Sequence, residues 1–260
     1  MSLKKRKGGG RMKLDRVVAV RNSRIVYRNG DDCVKVFDED YFLDDVLSEA
    51  LNQAIAERAV VNVPKVKGVI NLDGKWAIVS EYVKGKTLER LMKENPAKKS
   101  EYLQRFVDIQ LQIRKSGNCG FSKLTDKLSE KIARTQLAAT TRYYLRNYME
   151  SLPKAKELCH GDFNPSNVIV GEDGKDYVVD WAMATEGNGL ADAARTYLLF
   201  WLEGDVEGSD EYLDLYCKAS GNTKQEIQRW MPVVAADQSV KGNSTERDCL
   251  LTWVNVVDYQ

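Results

Sequence analysis

No C-x-x-C pair occurs in this chain of 260 residues, and its five cysteines, Cys33, Cys119, Cys159, Cys217 and Cys249, are odd in number and widely spread. That pattern argues against a disulfide framework and a zinc ribbon. No apolar h-region follows the start, which argues against secretion, and no apolar run approaches the ~20 residues that carry a helix across a bilayer. Charge of one sign is not in excess either. Lys plus Arg number 39 against 38 for Asp plus Glu, so no global field draws the chain to nucleic acid or to a membrane surface. Internal repeats and low-complexity stretches are missing. What remains is 43% hydrophobic, 30% charged and 9% aromatic, enough to bury a core in one or two domains. The expectation is a soluble cytoplasmic protein whose function rests on local sites, without a nucleic-acid or membrane partner. Lys4-Lys5-Arg6-Lys7 followed by Gly8-Gly9-Gly10 reads as a flexible basic tail over residues 1–13, with no aromatic residue interleaved.

From Val17 the apolar residues come in short runs, Val17 to Val20, Ile25 to Tyr27 and Val34 to Phe37. Arg21-Asn22-Ser23 separates the first two and Asn29-Gly30 the second two, where Asn-Gly suits a tight hairpin turn. Phe42, Leu43, Val46, Leu47, Ala50, Leu51, Ala54 and Ile55 then recur at helical spacing, as one apolar face would. Two more strands fit Val66 to Ile70 and Lys75 to Glu81 around an Asp-Gly turn. The order strand, strand, strand, helix, strand, strand predicts a five-stranded antiparallel sheet with one helix.

Lys84-Gly85-Lys86 reads as a connector, after which Thr87 caps a helix. The rest is mainly helical, with helices expected near Ser100 to Lys115, Leu128 to Thr140 and Arg142 to Leu152, and again from Leu190, Asp210, Thr223 and Thr245. One β-hairpin interrupts them, Val168 to Val170 and Tyr177 to Val179.

The chemistry concentrates just before and after that hairpin. His160, the only histidine, stands in His160-Gly161-Asp162-Phe163-Asn164-Pro165-Ser166-Asn167, and Asp180-Trp181 follows the hairpin. The spacing fits H-x-D-x-x-x-x-N, in which the Asp accepts a substrate hydroxyl's proton and the Asn binds metal. A tight hairpin returns Asp180 to Asn167, so their oxygens can converge on a hard cation such as Mg²⁺. Taken singly, each is as readily a packed imidazole, a turn residue or a strand-end acid. Together, on a loop and hairpin behind a five-stranded sheet, they agree with one kinase-like arrangement.

These residues resemble the aminoglycoside phosphotransferase and choline kinase family, small-molecule kinases with a protein-kinase-like fold. The resemblance spans Val17 to the final helices. The family's catalytic loop reads H-G-D-x-x-x-x-N, and its metal aspartate opens a D-W or D-F pair. It implies an α+β, two-lobed protein-kinase-like fold, with residues 14–82 as a nucleotide-binding lobe and 83–260 as a mainly helical catalytic and acceptor-binding lobe carrying the catalytic hairpin. It implies transfer of the γ-phosphoryl of ATP, or GTP, to a small-molecule alcohol, with Mg²⁺ held by Asn167 and Asp180. Asp162 would be the base, and His160, grouped with Asp162 and Lys35 in the catalytic set, would support the loop. Asp192, in Gly189-Leu190-Ala191-Asp192, matches the aspartate that braces the catalytic loop from behind.

In similar kinases a third-strand lysine holds the α- and β-phosphates, which points to Lys35. Its charge in an otherwise apolar strand is costly unless paired or used. Glu49 is the expected partner and Glu57 the alternative. No G-x-G-x-x-G lies between the first two strands, so phosphate contact there falls to the short turn and the Ser23 hydroxyl. Ser80 and Tyr82 are the candidates to present backbone groups to adenine. Only eleven residues separate Asp180 from Asp192 and no A-P-E follows, too little for a peptide-holding activation segment.

A small acceptor is therefore favoured: an aminoglycoside, choline, or a similar alcohol. The C-terminal helices offer Trp201, Trp230 and Trp253 and the acids Glu203, Asp205, Glu207, Asp210, Glu211 and Asp214, which suit a cationic acceptor or else a solvated acidic face over core tryptophans. A nucleotide-binding pseudokinase and a small atypical protein kinase are the alternatives.

Overall fold

The computed structural model describes residues 14–21, 23–59, 61–117, 120–240 and 244–254. The basic tail over 1–13, Asn22 of the first turn and Cys119 lie outside the described residues. The chain divides into two compact units, one running to Ala50 and taking in Pro64–Val83, the other taking in Leu51–Val63 and the chain from Lys84 on.

The first unit is built on five strands, β1 (Arg16–Arg21), β2 (Arg24–Asn29), β3 (Asp32–Phe37), β4 (Val66–Leu72) and β5 (Lys75–Glu81), in the order β1-β2-β3-β5-β4. Every pairing is antiparallel. Gly30 takes a positive φ of 62° in the two-residue turn Gly30-Asp31, one place on from the expected Asn29-Gly30, because Asn29 still pairs with Asp32 as the last residue of β2. One face of the sheet packs Phe37 and Ile78 against Val46 and Ala50 of helix α1 (Leu43–Ala56), and the other gathers Val34, Ala77 and Val79.

Helix α1 buries a narrower apolar stripe than its sequence suggests. Val46, Ala50 and Ile55 are buried, whereas Phe42 is 74% exposed and Leu51 60%. The inward face is shared with Glu49 and Asn52, both buried, and these polar residues displace the flanking leucines toward solvent.

In the second unit, the expected connector forms a three-residue strand β6 (Gly85–Thr87), followed by α2 (Leu88–Glu94), which Thr87 caps by accepting the Arg90 N–H at 3.2 Å. Helices α3 (Lys99–Lys115), α4 (Leu124–Ala133) and α5 (Ala139–Ser151) come next. Helix α4 starts and ends earlier than the expected Leu128 to Thr140, since Arg134 and Thr135 close it with backbone bonds to Lys131 and Ile132. Strand β7 (Glu157–Cys159) leads into the catalytic-type loop, and β8 (Val168–Gly171) and β9 (Asp176–Val178) form the hairpin. Strand β10 (Thr185–Gly187) then pairs back with β7, and β6 extends the hairpin beside β8. Helices α6 (Gly189–Leu202), α7 (Val206–Ser220), α8 (Lys224–Gln228), α9 (Met231–Ser239) and α10 (Ser244–Val254) complete the unit.

Its core stacks Phe106 on Phe163 at 4.3 Å between ring centroids, which seats the catalytic-type loop on α3. No helix among the described residues is long and apolar enough to cross a membrane.

Candidate active site

The loop between β7 and β8 is held from below. Asp192, buried in the first turn of α6, accepts the backbone N–H of Gly161 at 2.7 Å and that of His160 at 3.1 Å. This is the bracing expected of it. Gly161 has φ of 79°, and a side chain there would run into the Met183 carbonyl, so the position requires glycine on both counts. From α3 and α7, Tyr212 donates to Gln110 at 2.6 Å, Gln110 to Thr196 at 3.1 Å, and Thr196 to the Phe163 carbonyl at 2.8 Å. Burial pushes the Tyr212 phenol well above its usual range, so it stays a proton donor in this chain of bonds.

His160 is fully buried between the rings of Trp181 and Phe163. Its Nδ1 accepts the Asp162 N–H at 3.3 Å, which requires a lone pair there and puts the proton on Nε2. Nε2 then donates to the Val179 carbonyl at 3.1 Å. With both ring nitrogens engaged, His160 is a positioning residue rather than a catalytic one, a correction to its place in the catalytic set. The sequence could suggest the loop, but not that the imidazole is spent inside it.

Asp162, Asn167 and Asp180 are brought together by the hairpin. The Asn167 side-chain NH₂ donates to the Asp162 carbonyl at 2.9 Å and to its carboxylate Oδ2 at 3.2 Å. Val179 N–H donates to the Asn167 carbonyl at 2.9 Å, placing Asp180 next along the chain. Asp180 occupies the left-handed region, with φ 66° and ψ 61°, a conformation that costs a non-glycine residue about 1–2 kcal/mol. Asp162 keeps Oδ1 without a hydrogen-bond partner among the described residues, and Asn167 likewise keeps its amide oxygen.

The donor set fits Mg²⁺. Asn167 and Asp180 offer hard oxygens, and the Asn167 NH₂ is tied to Asp162, which turns the amide oxygen away from it. Among the described residues no group of three or more His, Cys, Asp or Glu is arranged for a metal.

In the first unit, Lys35 on β3 forms an ion pair with Glu49 of α1, both largely buried. Glu57 is exposed, so Glu49 is the partner. Arg24 also reaches Glu49, at 3.4 Å, a second cation that the sequence did not announce. Three of the nucleotide-side assignments fall differently. The Ser23 hydroxyl pairs with the Tyr41 hydroxyl at 3.1 Å and is already engaged. Ser80 lies inside the sheet opposite Cys33 and Val66. The Tyr82 N–H donates to the Asp31 carbonyl at 3.0 Å. A propensity reading ends β5 at Glu81 but cannot show that the sheet bonding runs on through Tyr82.

The acids and tryptophans of the C-terminal helices have other work. Asp205 caps α7 at Gly208 and pairs with Lys99 at 2.7 Å, and Asp214 pairs with Lys224 at 2.5 Å. Trp230 is buried, and Trp201 and Trp253 meet edge to face. Residues that the sequence did not single out include Lys127, Thr185, Arg195 and Asp237, which line a cavity beside Gly161. They come from four separate elements, and no local spacing links them.

Several solved structures share this fold. A thermostable mutant of aminoglycoside phosphotransferase APH(4)-Ia, in ternary complex with ADP and hygromycin B, matches with a TM-score of 0.65 at 15% identity, covering 94% of this chain and 92% of that one. Choline kinase LicA from Streptococcus pneumoniae matches with a TM-score of 0.60 at 13% identity, over 94% and 93%. A choline/ethanolamine kinase family protein from Mesorhizobium loti gives 0.54 at 17% identity, over 97% and 83%. At such identities the likeness establishes the protein-kinase-like fold. A comparison with curated proteins returns no match. The phosphotransferase enzyme family model matches residues 18–232, most of the chain. With the braced loop, the Asn167 hairpin and the Lys35–Glu49 pair all inside that span, the chain belongs to the phosphotransferase enzyme family.

Proposed function

We propose that this chain transfers the γ-phosphoryl group of ATP, or of GTP, to a hydroxyl of a small molecule. The observation that carries the reading is the bonding around Asp162: Oδ2 accepts from Asn167 at 3.2 Å, the backbone on either side is fastened to His160 and Asn167, and Oδ1 is left for an incoming O–H. A carboxylate held this way accepts the acceptor's proton without having to reorganise. Support for the donor side comes from aminoglycoside phosphotransferase structures of the same fold solved as complexes with ADP or AMP-PNP.

Lys35, fixed by Glu49, supplies positive charge toward the α- and β-phosphates, the role of the third-strand lysine in kinases. Asn167 and Asp180 would hold Mg²⁺, which neutralises charge on the phosphate oxygens when bound. Asp192 and His160 work through the loop: they keep Asp162 in place and touch no reacting atom. The short stretch from Asp180 to Asp192 folds into a one-turn helix (Trp181–Met183), β10 and the start of α6, which favours a small acceptor over a peptide.

The test is ADP release by the purified protein with Mg²⁺ and ATP against a panel of small alcohols. Turnover on at least one of them is expected, and Asp162→Asn should lower it by ~10²–10⁴-fold. Nucleotide binding without turnover on any alcohol would make the chain a binding module, and phosphate appearing only on peptides would make it a protein kinase.

A further inference from the structure

A cavity of about 20 Å³ opens beside the catalytic loop, bordered by Gly161, Met183 and Thr185 on one side and by Lys127, Arg195 and Asp237 on the other. Most of its polar groups are spoken for. Arg195 is tied to Asp237 and reaches Gln238 at 3.2 Å. Asp192 is committed to the loop N–H groups. Two groups are left. The Thr185 hydroxyl is buried, with the residue 2% exposed, and has no hydrogen-bond partner among the described residues. The Lys127 ammonium, half-buried on α4, makes no hydrogen bond or ion pair among the described residues.

We infer that this cavity is the acceptor's anchoring subsite and that it takes an acidic substituent, a carboxylate, held by Lys127 and Thr185. The inference rests on the kinase reading and names the substrate class for it. An unsatisfied buried hydroxyl and an unpaired, partly desolvated ammonium are both unfavourable, and one carboxylate answers both: one oxygen accepts from the Thr185 O–H, the other from the ammonium. Arg195 pairs with Asp237, and the Asp192 carboxylate is held by the two loop N–H groups, which leaves Lys127 as the lining cation without a carboxylate partner among the described residues.

Burial, followed by repulsion from Lys131, holds the Lys127 ammonium below its usual range, against the pull of Glu130 and Asp237. A bound anion relieves that strain, whereas a cationic head adds to it. The space suits one or two waters or one small planar group, not a sugar ring. A water alone would serve Thr185 but leave the ammonium's charge unmatched. Gly161 borders the cavity and Asp162 is the next residue, so a substituent anchored there keeps its molecule at the base.

The experiment compares matched alcohols: glycerate with glycerol and serinol, and glucuronate with glucose and glucosamine. ADP release is measured with Mg²⁺ and ATP for the unmodified protein, Lys127→Gln and Lys127→Arg. The acidic member of a series should exceed the neutral and amine members in kcat/KM by about tenfold or more. Lys127→Gln should remove that preference through KM, with kcat and the nucleotide KM little changed, and Lys127→Arg should restore most of it. Preference for the amine members, or an acidic preference that survives Lys127→Gln, overturns the subsite while leaving the kinase reading intact.

If no member turns over, the two acids are titrated calorimetrically into protein loaded with Mg²⁺ and a non-hydrolysable ATP analogue. Binding lost in Lys127→Gln supports the subsite. Absence of binding at millimolar concentration, or equal binding in the variant, overturns it. Failure of the analogue itself to bind would instead count against the kinase reading.

Discussion

Replacing Asp192 by asparagine tests what holds the catalytic loop. The carboxylate is buried and accepts two backbone N–H groups, from Gly161 at 2.7 Å and His160 at 3.1 Å, with Gln110 more distant at 3.5 Å. Asparagine has the same size but a single acceptor oxygen, so one N–H would face an NH₂ group and lose its partner. A hydrogen bond to a charged acceptor contributes about 1.5–3 kcal/mol, and a stranded buried donor costs about 1–3 kcal/mol. A total near ~3 kcal/mol lowers the thermal midpoint by about 6–12 °C in a chain of this size. Turnover should fall through kcat, since the loop carrying Asp162 loses its anchor, while the nucleotide KM holds because Lys35 and Glu49 are untouched. Calorimetric scanning and the ADP-release assay read the two effects, with Glu207→Gln, an exposed acid, as a control expected within ±0.5 kcal/mol. A midpoint within a degree of the unmodified protein, with kcat unchanged, would refute the bracing role.

The two acids of the hairpin should separate. Asp162→Asn is expected to retain Mg²⁺-dependent ATP binding while losing turnover, and Asp180→Asn to weaken that binding itself; calorimetry with and without Mg²⁺ decides, and the reverse pattern would exchange their roles. Lys35→Met should raise the KM for ATP by about tenfold or more with the fold retained, because Arg24 remains at 3.4 Å to neutralise Glu49; an unchanged KM would remove Lys35 from the nucleotide site. Alkaline stability should follow the buried tyrosines. Burial, the largest cause, pushes the Tyr216 phenol up to about 12, so the folded chain keeps a proton that the unfolded chain releases near pH ~10. Its contribution is complete below pH ~10 and is lost as pH rises toward ~12, by ~2–3 kcal/mol. Denaturant titrations across that window should show the decline, and Tyr216→Phe should flatten part of it.

The five-stranded sheet was legible because two of its turns carry their own chemistry: Gly30, after Asn29, and Asp73-Gly74 take positive φ. The hairpin and its flanking motif were legible for the same reason. Strands β6, β7 and β10 were not, since three residues give no alternation to read and their partners are far away in sequence. Helix α9 escaped because Met231–Ser239 is buried on nearly every side, which erases the periodicity of a surface helix. In the site, the motif residues and Glu49 stood out through spacing and the cost of unpaired charge. What Ser23, Ser80 and Tyr82 engage depends on which neighbour the sheet supplies, and Lys127 and Thr185 were invisible because only packing brings α4 and β10 to one cavity.

The motif works as a unit because each of its residues serves the next. Val179 is gripped on both peptide groups, its N–H by the Asn167 carbonyl and its carbonyl by His160 Nε2. Two such bonds contribute about 0.5–1.5 kcal/mol each, comparable to the ~1–2 kcal/mol that the left-handed conformation costs Asp180. The histidine is therefore needed at the start of the loop to hold the residue before Asp180, some twenty positions later. Asn167 is needed twice, its carbonyl for that same strand and its side chain to orient Asp162. A lone His, Asp or Asn has many ordinary uses in a fold. Four of them joined through Val179 and the Asp162 carboxylate leave one oxygen of Asp162 and the amide oxygen of Asn167 without partners among the described residues, which are the two atoms that the proposed phosphoryl transfer would use.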